Sequence, residues 1–338
     1  MRAVVTTGNG DVRVMKVETR PDPVPASGEV LIRVKAAGLN FADILARQGL
    51  YPDGPPKPCV MGYEVSGIIE AVGAGVDASI IGEPVIAMTR FGGQAELVVV
   101  PDAQVFEKPA QLSFEQGAAL PVNYLTAWAL IVTMGGLKQD EAILIHNAGG
   151  GVGLAALDIA RYLGARTFGT ASPGKHEFLR QRGLDHPIDY RNQDWLPILM
   201  ELTNGRGVEL IIDPLGGKNW KQSFRALRPT GRMGVFGISE ASASGIKGKL
   251  KALKAIIGMP RFNPIGLMNR NKGIFGLNLG HMWGEGEKVA SWTREIMIGV
   301  HKGWVRPHVD RTFSFAEIAD AHRYLEGRKN TGKVVLVP

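Results

Sequence analysis

The stretch AILIHNAGGGVGLAALDIARYLG, residues 142–164, reads as strand, turn and helix in immediate succession. Ala142 to Ile145 is a short apolar strand, His146 to Gly149 a turn, and a helix starts among the glycines near Gly151. Its apolar positions, Val152, Leu154, Ala155, Leu157, Ile159, Ala160 and Leu163, wrap much of the circumference, as a helix packed on a sheet requires. Gly164 stops it. Glycines let backbone N–H groups approach phosphate oxygens, and the helix N-terminus adds positive partial charge, so the unit suits a pyrophosphate. In the G-x-G-x-x-G register the positions are Ala148, Gly150 and Gly153, with alanine standing for the first glycine.

A second strand, Arg166 to Ala171, ends about twenty residues past the glycines, where an NAD site carries Asp or Glu for the ribose 2′-hydroxyl. Here the residues are Ser172, Pro173, Gly174 and Lys175. A hydroxyl and an ammonium in place of an acid favour a 2′-phosphate, hence NADP(H).

Outward from this unit the chain alternates strands and helices. The pattern predicts a helix from about Tyr124 to Met134, helices at 175–182, 194–203 and 218–227, and strands Pro187–Asp189, 208–213, Arg232–Phe236 and Gly273–Leu279. Such alternation means a parallel sheet covered on both faces. Before Ser113, whose pairing with Gln116 has the form of a capping box, the style differs. Short glycine-punctuated strands, including the alternating EVLIRVKAA at Glu29–Ala37, predict a partly closed β-barrel. At the far end, Glu285–His301 and Phe313–Leu325 read as helices and Lys333–Val337 as a strand. The fold class is therefore α/β, a Rossmann doubly wound parallel sheet accompanied by a β-barrel domain.

The chain has 338 residues, enough for two domains, with 45% hydrophobic and 21% charged residues, ordinary values for a globular protein. A single cysteine, Cys59, rules out an intrachain disulfide framework; in a proline-rich loop without a nearby histidine it reads as structural. The first residues hold no apolar core of signal-peptide length, and no run of eighteen apolar residues exists, so a cytoplasmic protein is expected. The net charge of +7 equals the seven bases Lys247, Lys249, Lys251, Lys254, Arg261, Arg270 and Lys272, which lie in an acid-free stretch from Ala241 to Gly284. No nucleic-acid module accompanies them, so no nucleic-acid partner is expected.

The G-x-N-x-x-D loop (Gly38, Asn40, Asp43), LPVNYLTAW at 120–128, the glycine-rich turn and TGKVVL at 331–336 together resemble the medium-chain dehydrogenase/reductase superfamily. Within it the chain is similar to the zinc-free quinone oxidoreductases, and among those to the vesicle amine transport protein-like members. Asp140–Arg161 follows the quinone oxidoreductase signature except that Asp158 stands for the usual glutamine. The resemblance implies a GroES-like catalytic domain over 1–118 and 281–338 and a Rossmann NADP-binding domain over 119–280, with a basic amphipathic insertion at about 241–272. It also implies an active site in the cleft between them, NADPH as cofactor, and a homodimer. The positions matching the metal ligands of zinc alcohol dehydrogenases are Asp43 and, in Gly62-Tyr63-Glu64, a tyrosine, so no metal is expected.

Without a Lewis acid, the implied chemistry is hydride transfer from NADPH to a quinone or an α,β-unsaturated carbonyl, with the oxygen's developing charge met by a donor or water. Catalytic roles fall to Asn40, Asp43 and Tyr51, in the loop that the resemblance places over the nicotinamide. Asn40 would contact the cofactor ribose or the substrate oxygen, and Tyr51 would donate a proton or stack on a flat substrate. Asp43 could equally cap the helix Phe41–Gln48, and Tyr63 reads as core. By motif, Thr126 approaches the nicotinamide carboxamide, while Gly150, Gly151 and Val152 present N–H groups to the pyrophosphate. Ser172, Lys175 and Tyr190 surround the 2′-phosphate, Gly237 lets the cofactor pass, and Phe275, Leu277, Asn278 and Asn330 close on the nicotinamide end.

The segment SGIKGKLKALKAIIGMPRF carries Ile246, Leu250, Leu253 and Ile257 at helical spacing with lysines between them. It reads as a lid over the substrate cleft or as a weak peripheral membrane contact through 245–261. The alternative to a reductase is accordingly a nucleotide-binding, membrane- or lipid-associated protein with little reductase activity.

Overall fold

The computed structural model describes residues 1–239 and 258–338. The lid or membrane contact expected within 241–272 therefore lies largely outside the described residues. Its described end carries the helix Pro264–Met268, capped by the Asn263 side chain on Gly266 N–H. Phe262 packs on Phe224 with centroids 5.0 Å apart.

The chain divides into two compact units. The first comprises Met1–Leu125, Gly280–Gly303 and Pro307–Pro338, and the second Thr126–Leu279 with Trp304–Arg306. The division falls inside the helix Pro121–Trp128 rather than at 118.

In the second unit six strands form one parallel sheet. In spatial order they are His186–Asp189, Arg166–Ala171, Ala142–Ile145, Val208–Asp213, Leu227–Val235 and Gly273–Gly276. The order turns about Ala142–Ile145, the strand that feeds the glycine turn, which is the topological switch point where doubly wound sheets bind ligands. Leu144, Phe168, Ile188, Ile211 and Met233 are buried in one cluster with Trp195 and Leu199 of the helix Trp195–Leu202. The predicted helix at Tyr124–Met134 is α-helical only over Pro121–Trp128 and then widens to a π-turn over Ala129–Thr133. The strand predicted at Arg232–Phe236 starts at Leu227, and the last strand stops at Gly276 rather than Leu279.

Asp158 has a role that its helical position conceals. Its buried carboxylate accepts from Arg182 Nη2 at 2.7 Å and from Arg306 Nη2 at 3.0 Å. Trp304 stacks on Tyr162, centroids 4.4 Å apart, and on Trp128 at 6.4 Å. The short segment Trp304–Arg306 is thereby tied to this unit although its flanks belong to the other.

In the first unit, Arg2–Thr6 pairs with Met15–Thr19 and Cys59–Val60, and a seven-stranded mixed sheet surrounds the core. The strand Glu29–Leu39 lies between Lys333–Val337, at the end of the chain, and Glu64–Val72, antiparallel to both. Leu97–Pro101 also pairs with it. Val105–Glu107 is a further strand, and Phe313–Leu325 is not one helix. Val309–Ser314 is a strand parallel to Lys333–Val337, and the α-helix runs from Ile318 to Glu326. Ser314 and Glu317 form a capping box that marks where the strand hands over.

Candidate active site and dinucleotide cradle

The glycine turn is built from beneath. Asn147 adopts a left-handed backbone with φ 54°. Ala148 N–H bonds to Thr170 O at 3.0 Å, and Asn147 N–H reaches Thr170 Oγ1 at 3.3 Å. Alanine is accommodated at 148 because Gly169 lies opposite: a Cβ on Gly169 would sit 2.7 Å from the Ala148 Cβ. The first glycine of the motif has, in effect, been moved to the neighbouring strand.

Below the turn runs a directed chain of hydrogen bonds. Ser223 Oγ donates to Asp213 Oδ2 at 2.7 Å, so it accepts from His146 Nε2 at 3.0 Å. His146 Nδ1, 3.0 Å from Thr170 Oγ1, is then the acceptor of the threonine hydroxyl. Burial pushes the His146 pKa below its ordinary value, against the opposing pull of Asp213, which keeps the ring neutral. Asn219 Nδ2 adds a 2.7 Å bond to Asp213 Oδ2, and Leu215 N–H one of 2.8 Å to Oδ1. Sequence reading missed this network because its members come from four separate elements.

Above the turn, Gly150 caps the helix Gly151–Tyr162; its own N–H, expected on the pyrophosphate, donates instead to Asn147 O at 2.9 Å, whereas the N–H groups of Gly151 and Val152, the first two helical residues, have no partner within the helix. Lys175 ends the one-turn helix Pro173–Lys175 and is half-buried. Its aliphatic stem crosses the turn: a Cβ on Gly149 would lie 2.8 Å from Lys175 Cδ. Ser172, at the N-cap of that turn, and Tyr190, after the strand His186–Asp189, are half-buried on the same edge. These residues fit a nicotinamide dinucleotide. Thr126 is buried, and Gly237 is half-buried beside Pro214, whose carbonyl oxygen would lie 3.2 Å from a Cβ there. The Phe275 ring lies across Gly234, Leu277 N–H bonds to Val235 O at 2.9 Å, and Asn278 is exposed. Asn330 belongs to the other unit, buried, with Nδ2 on Gly332 O at 2.6 Å.

The first unit gathers the remaining candidates. Sheet register sets Val334 opposite Leu39 and Val65 opposite Ala37, so Lys333, Asn40 and Glu64 meet at one end of three strands. Lys333 Nζ donates to Asn40 Oδ1 at 2.6 Å and, in a short ion pair, to Glu64 Oε1. Asn40 Nδ2 donates to the same Glu64 oxygen at 2.9 Å, and Val122 N–H to Glu64 Oε2 at 2.8 Å. The Asn40 amide is thus oriented from within, with a lone pair of Oδ1 left to accept a further donor. Sequence reading assigned Glu64 and Lys333 no role, since 269 positions separate them.

Asp43 lies fully buried at the start of the helix Phe41–Gln48. Its Oδ2 accepts Asn40 N–H at 2.8 Å and its Oδ1 accepts Gly62 N–H at 3.1 Å, so it does cap the helix and also ties it to the next strand. Burial raises its pKa to about 7, with Lys333 and the two backbone donors opposing. A carboxyl whose folded pKa exceeds its unfolded value of 3.8 contributes stability that is fully present below that value and lost as pH rises through about 7. Asp43→Asn should therefore be the less stable protein at pH 4 and close the gap by pH 8, a relative change of a few kcal/mol in urea-unfolding free energies. A gap constant with pH would contradict this account.

Tyr51 is half-buried and meets Tyr63 edge-on, centroids 6.3 Å apart, and Tyr63 in turn tilts against Phe91 at 5.4 Å. At this place the donor set does not fit zinc. The oxygens of Asp43 are taken by backbone N–H groups, and Glu64 is paired with an ammonium that would repel a dication. Among the described residues no cluster of three His, Cys, Asp or Glu side chains forms. Cys59 Sγ lies 3.3 Å from Lys57 Nζ in the adjoining loop.

Two family models match the chain: an alcohol dehydrogenase GroES-like domain over residues 26–110 and a zinc-binding dehydrogenase over 182–336. The human synaptic vesicle membrane protein VAT-1 homolog is 37% identical over 343 residues, covering all of this chain and 86% of the relative. Human quinone oxidoreductase is 30% identical, with 100% and 98% covered. The crystal structure of Escherichia coli quinone oxidoreductase complexed with NADPH superposes with a TM-score of 0.88 at 28% identity, both chains covered completely. With this fold, the cradle and whole-length relatives in hand, the chain belongs to the medium-chain dehydrogenase/reductase family, among the quinone oxidoreductases and VAT-1 homologues.

Proposed function

We propose that this protein is an NADPH-dependent reductase of quinones or α,β-unsaturated carbonyls that works without zinc. The observation that carries the proposal is Lys175, whose stem lies across Gly149 of the pyrophosphate turn, in a loop with no acid where an NAD site would need one. Its ammonium supplies charge for a 2′-phosphate, and Ser172 and Tyr190 supply directional hydrogen bonds. The N–H groups of Gly151 and Val152 bind the pyrophosphate, while Gly150, its own N–H held by Asn147 O at 2.9 Å, lets the phosphate come close. When bound, NADPH supplies the hydride.

On the acceptor side, Tyr51 and Tyr63 form an aromatic wall against which a flat ring can lie. The inward-held Asn40 offers Oδ1 as acceptor to a ribose hydroxyl rather than acting as a free donor. That NADPH occurs in the complex of the Escherichia coli quinone oxidoreductase supports the same reading.

Lys175→Ala is the test of cofactor choice. Losing one charge-assisted contact to a phosphate costs about 1.5–3 kcal/mol, or roughly 10- to 150-fold in affinity. Fluorescence titration should show that loss for NADPH and little change for NADH. Equal weakening of both would refute the 2′-phosphate assignment, and the absence of turnover across a panel of quinones and enones would refute the reductase.

A further inference from the structure

Tyr63 Oη is buried and has no hydrogen-bond partner among the described residues. Burying an unsatisfied hydroxyl is destabilising, a cost phenylalanine would avoid while filling the same space. The ring is nevertheless held with care. Tyr63 O accepts Thr89 N–H at 2.8 Å, the preceding residue, Gly62, is anchored to Asp43 Oδ1 at 3.1 Å, and Tyr51 and Phe91 pack on the ring. Burial first, then the nearby Asp43 carboxyl, push the phenol pKa up, so the group keeps its proton at neutral pH. A buried, neutral O–H beside an aromatic wall, unpaired among the described residues, is a hydrogen bond prepared for an oxygen that arrives with the ligand.

We propose that Tyr63 is a catalytic residue whose Oη–H donates to the carbonyl oxygen of the quinone or enone as that oxygen gains negative charge. The inference rests on the reductase reading. Hydride brings two electrons and a proton to the electrophilic carbon, the π pair moves onto the oxygen, and water provides the proton that completes the product. Tyr63 keeps its own proton throughout. Its donation strengthens as the oxygen becomes anionic, which is the condition for lowering a barrier rather than only binding the substrate. Tyr51, half-buried, then supplies the face on which the ring rests.

Tyr63→Phe separates this role from a structural one. With menadione as acceptor, kcat should fall about 100-fold, as for loss of one oxyanion donor. KM for NADPH should stay unchanged, and the melting temperature should be equal or higher, because an unpaired hydroxyl has been removed. A kcat equal to wild type, or a lowered melting temperature with kcat reduced only in proportion to the folded fraction, would overturn the proposal. Should the wild-type protein bind NADPH and reduce no acceptor, the reductase reading falls. Calorimetric binding of menadione alone then decides: at least fivefold weaker binding by Tyr63→Phe upholds the hydrogen bond, and equal binding overturns it.

Discussion

Lys333→Met is expected to destabilise the protein by about 3–5 kcal/mol, the usual consequence of leaving one member of a buried ion pair without its partner. Both side chains are almost inaccessible, 3% for Lys333 and 0% for Glu64. Without the ammonium, Glu64 keeps hydrogen bonds from Asn40 Nδ2 and Val122 N–H, but its charge has no counterion. The double variant Glu64→Gln/Lys333→Met removes both charges, and a glutamine carbonyl can still accept Val122 N–H. Most of the lost stability should return, as read from urea midpoints of wild type, the single and the double variant. A single variant within about 0.5 kcal/mol of wild type would show that the pair is not what holds these strand ends together. The pair also matters for chemistry. Lys333 occupies Asn40 Oδ1 and Glu64 occupies Asn40 Nδ2, so between them they decide which way the amide faces. The double variant should accordingly recover stability without fully recovering affinity for NADPH.

This cluster marks the limit of what the linear sequence discloses. The Rossmann unit is legible because its signals are local: an apolar strand, a glycine turn and a helix occupy adjacent residues, and their repetition implies the parallel sheet. The glycine turn is legible for the same reason, and Lys175, four residues past the second strand, does lie against it, its stem crossing Gly149. Asn40, Glu64 and Lys333 meet only because two strands pair with Glu29–Leu39 in a particular register, and neither register nor pairing is encoded locally. The strand Val309–Ser314 escaped notice because its last residue, Ser314, is also a helix cap, and its partner lies at the chain's end. Asp158 lies within a readable helix, yet its partners Arg182 and Arg306 come from other segments. Tyr63 reads as core by residue type and is indeed buried; what distinguishes it from a packing residue is a hydroxyl with no partner among the described residues.

Gly153→Ala should injure the cradle more than any other single methyl there. A Cβ at this position would lie 2.3 Å from Asn147 O and 2.7 Å from both Ala148 C and Ala148 O. All three atoms are backbone, so no side chain can rotate out of the way. The turn cannot withdraw cheaply either, because Ala148 N–H is bonded to Thr170 O and Asn147 N–H to Thr170 Oγ1, which is itself held by His146. Overpacking of this kind costs about 1–3 kcal/mol. If the strain is relieved by opening the turn, the Gly151 and Val152 N–H groups leave their positions, and NADPH affinity should fall about 10- to 100-fold. Gly286→Ala is the control: it opens another helix, Gly286–His301, and a Cβ there meets open space. Thermal unfolding and NADPH titration of both variants should show loss only for Gly153→Ala. Unimpaired binding by that variant would mean that the phosphate contacts do not depend on the close approach of this helix to the turn, and the assignment of the cradle would fail with it.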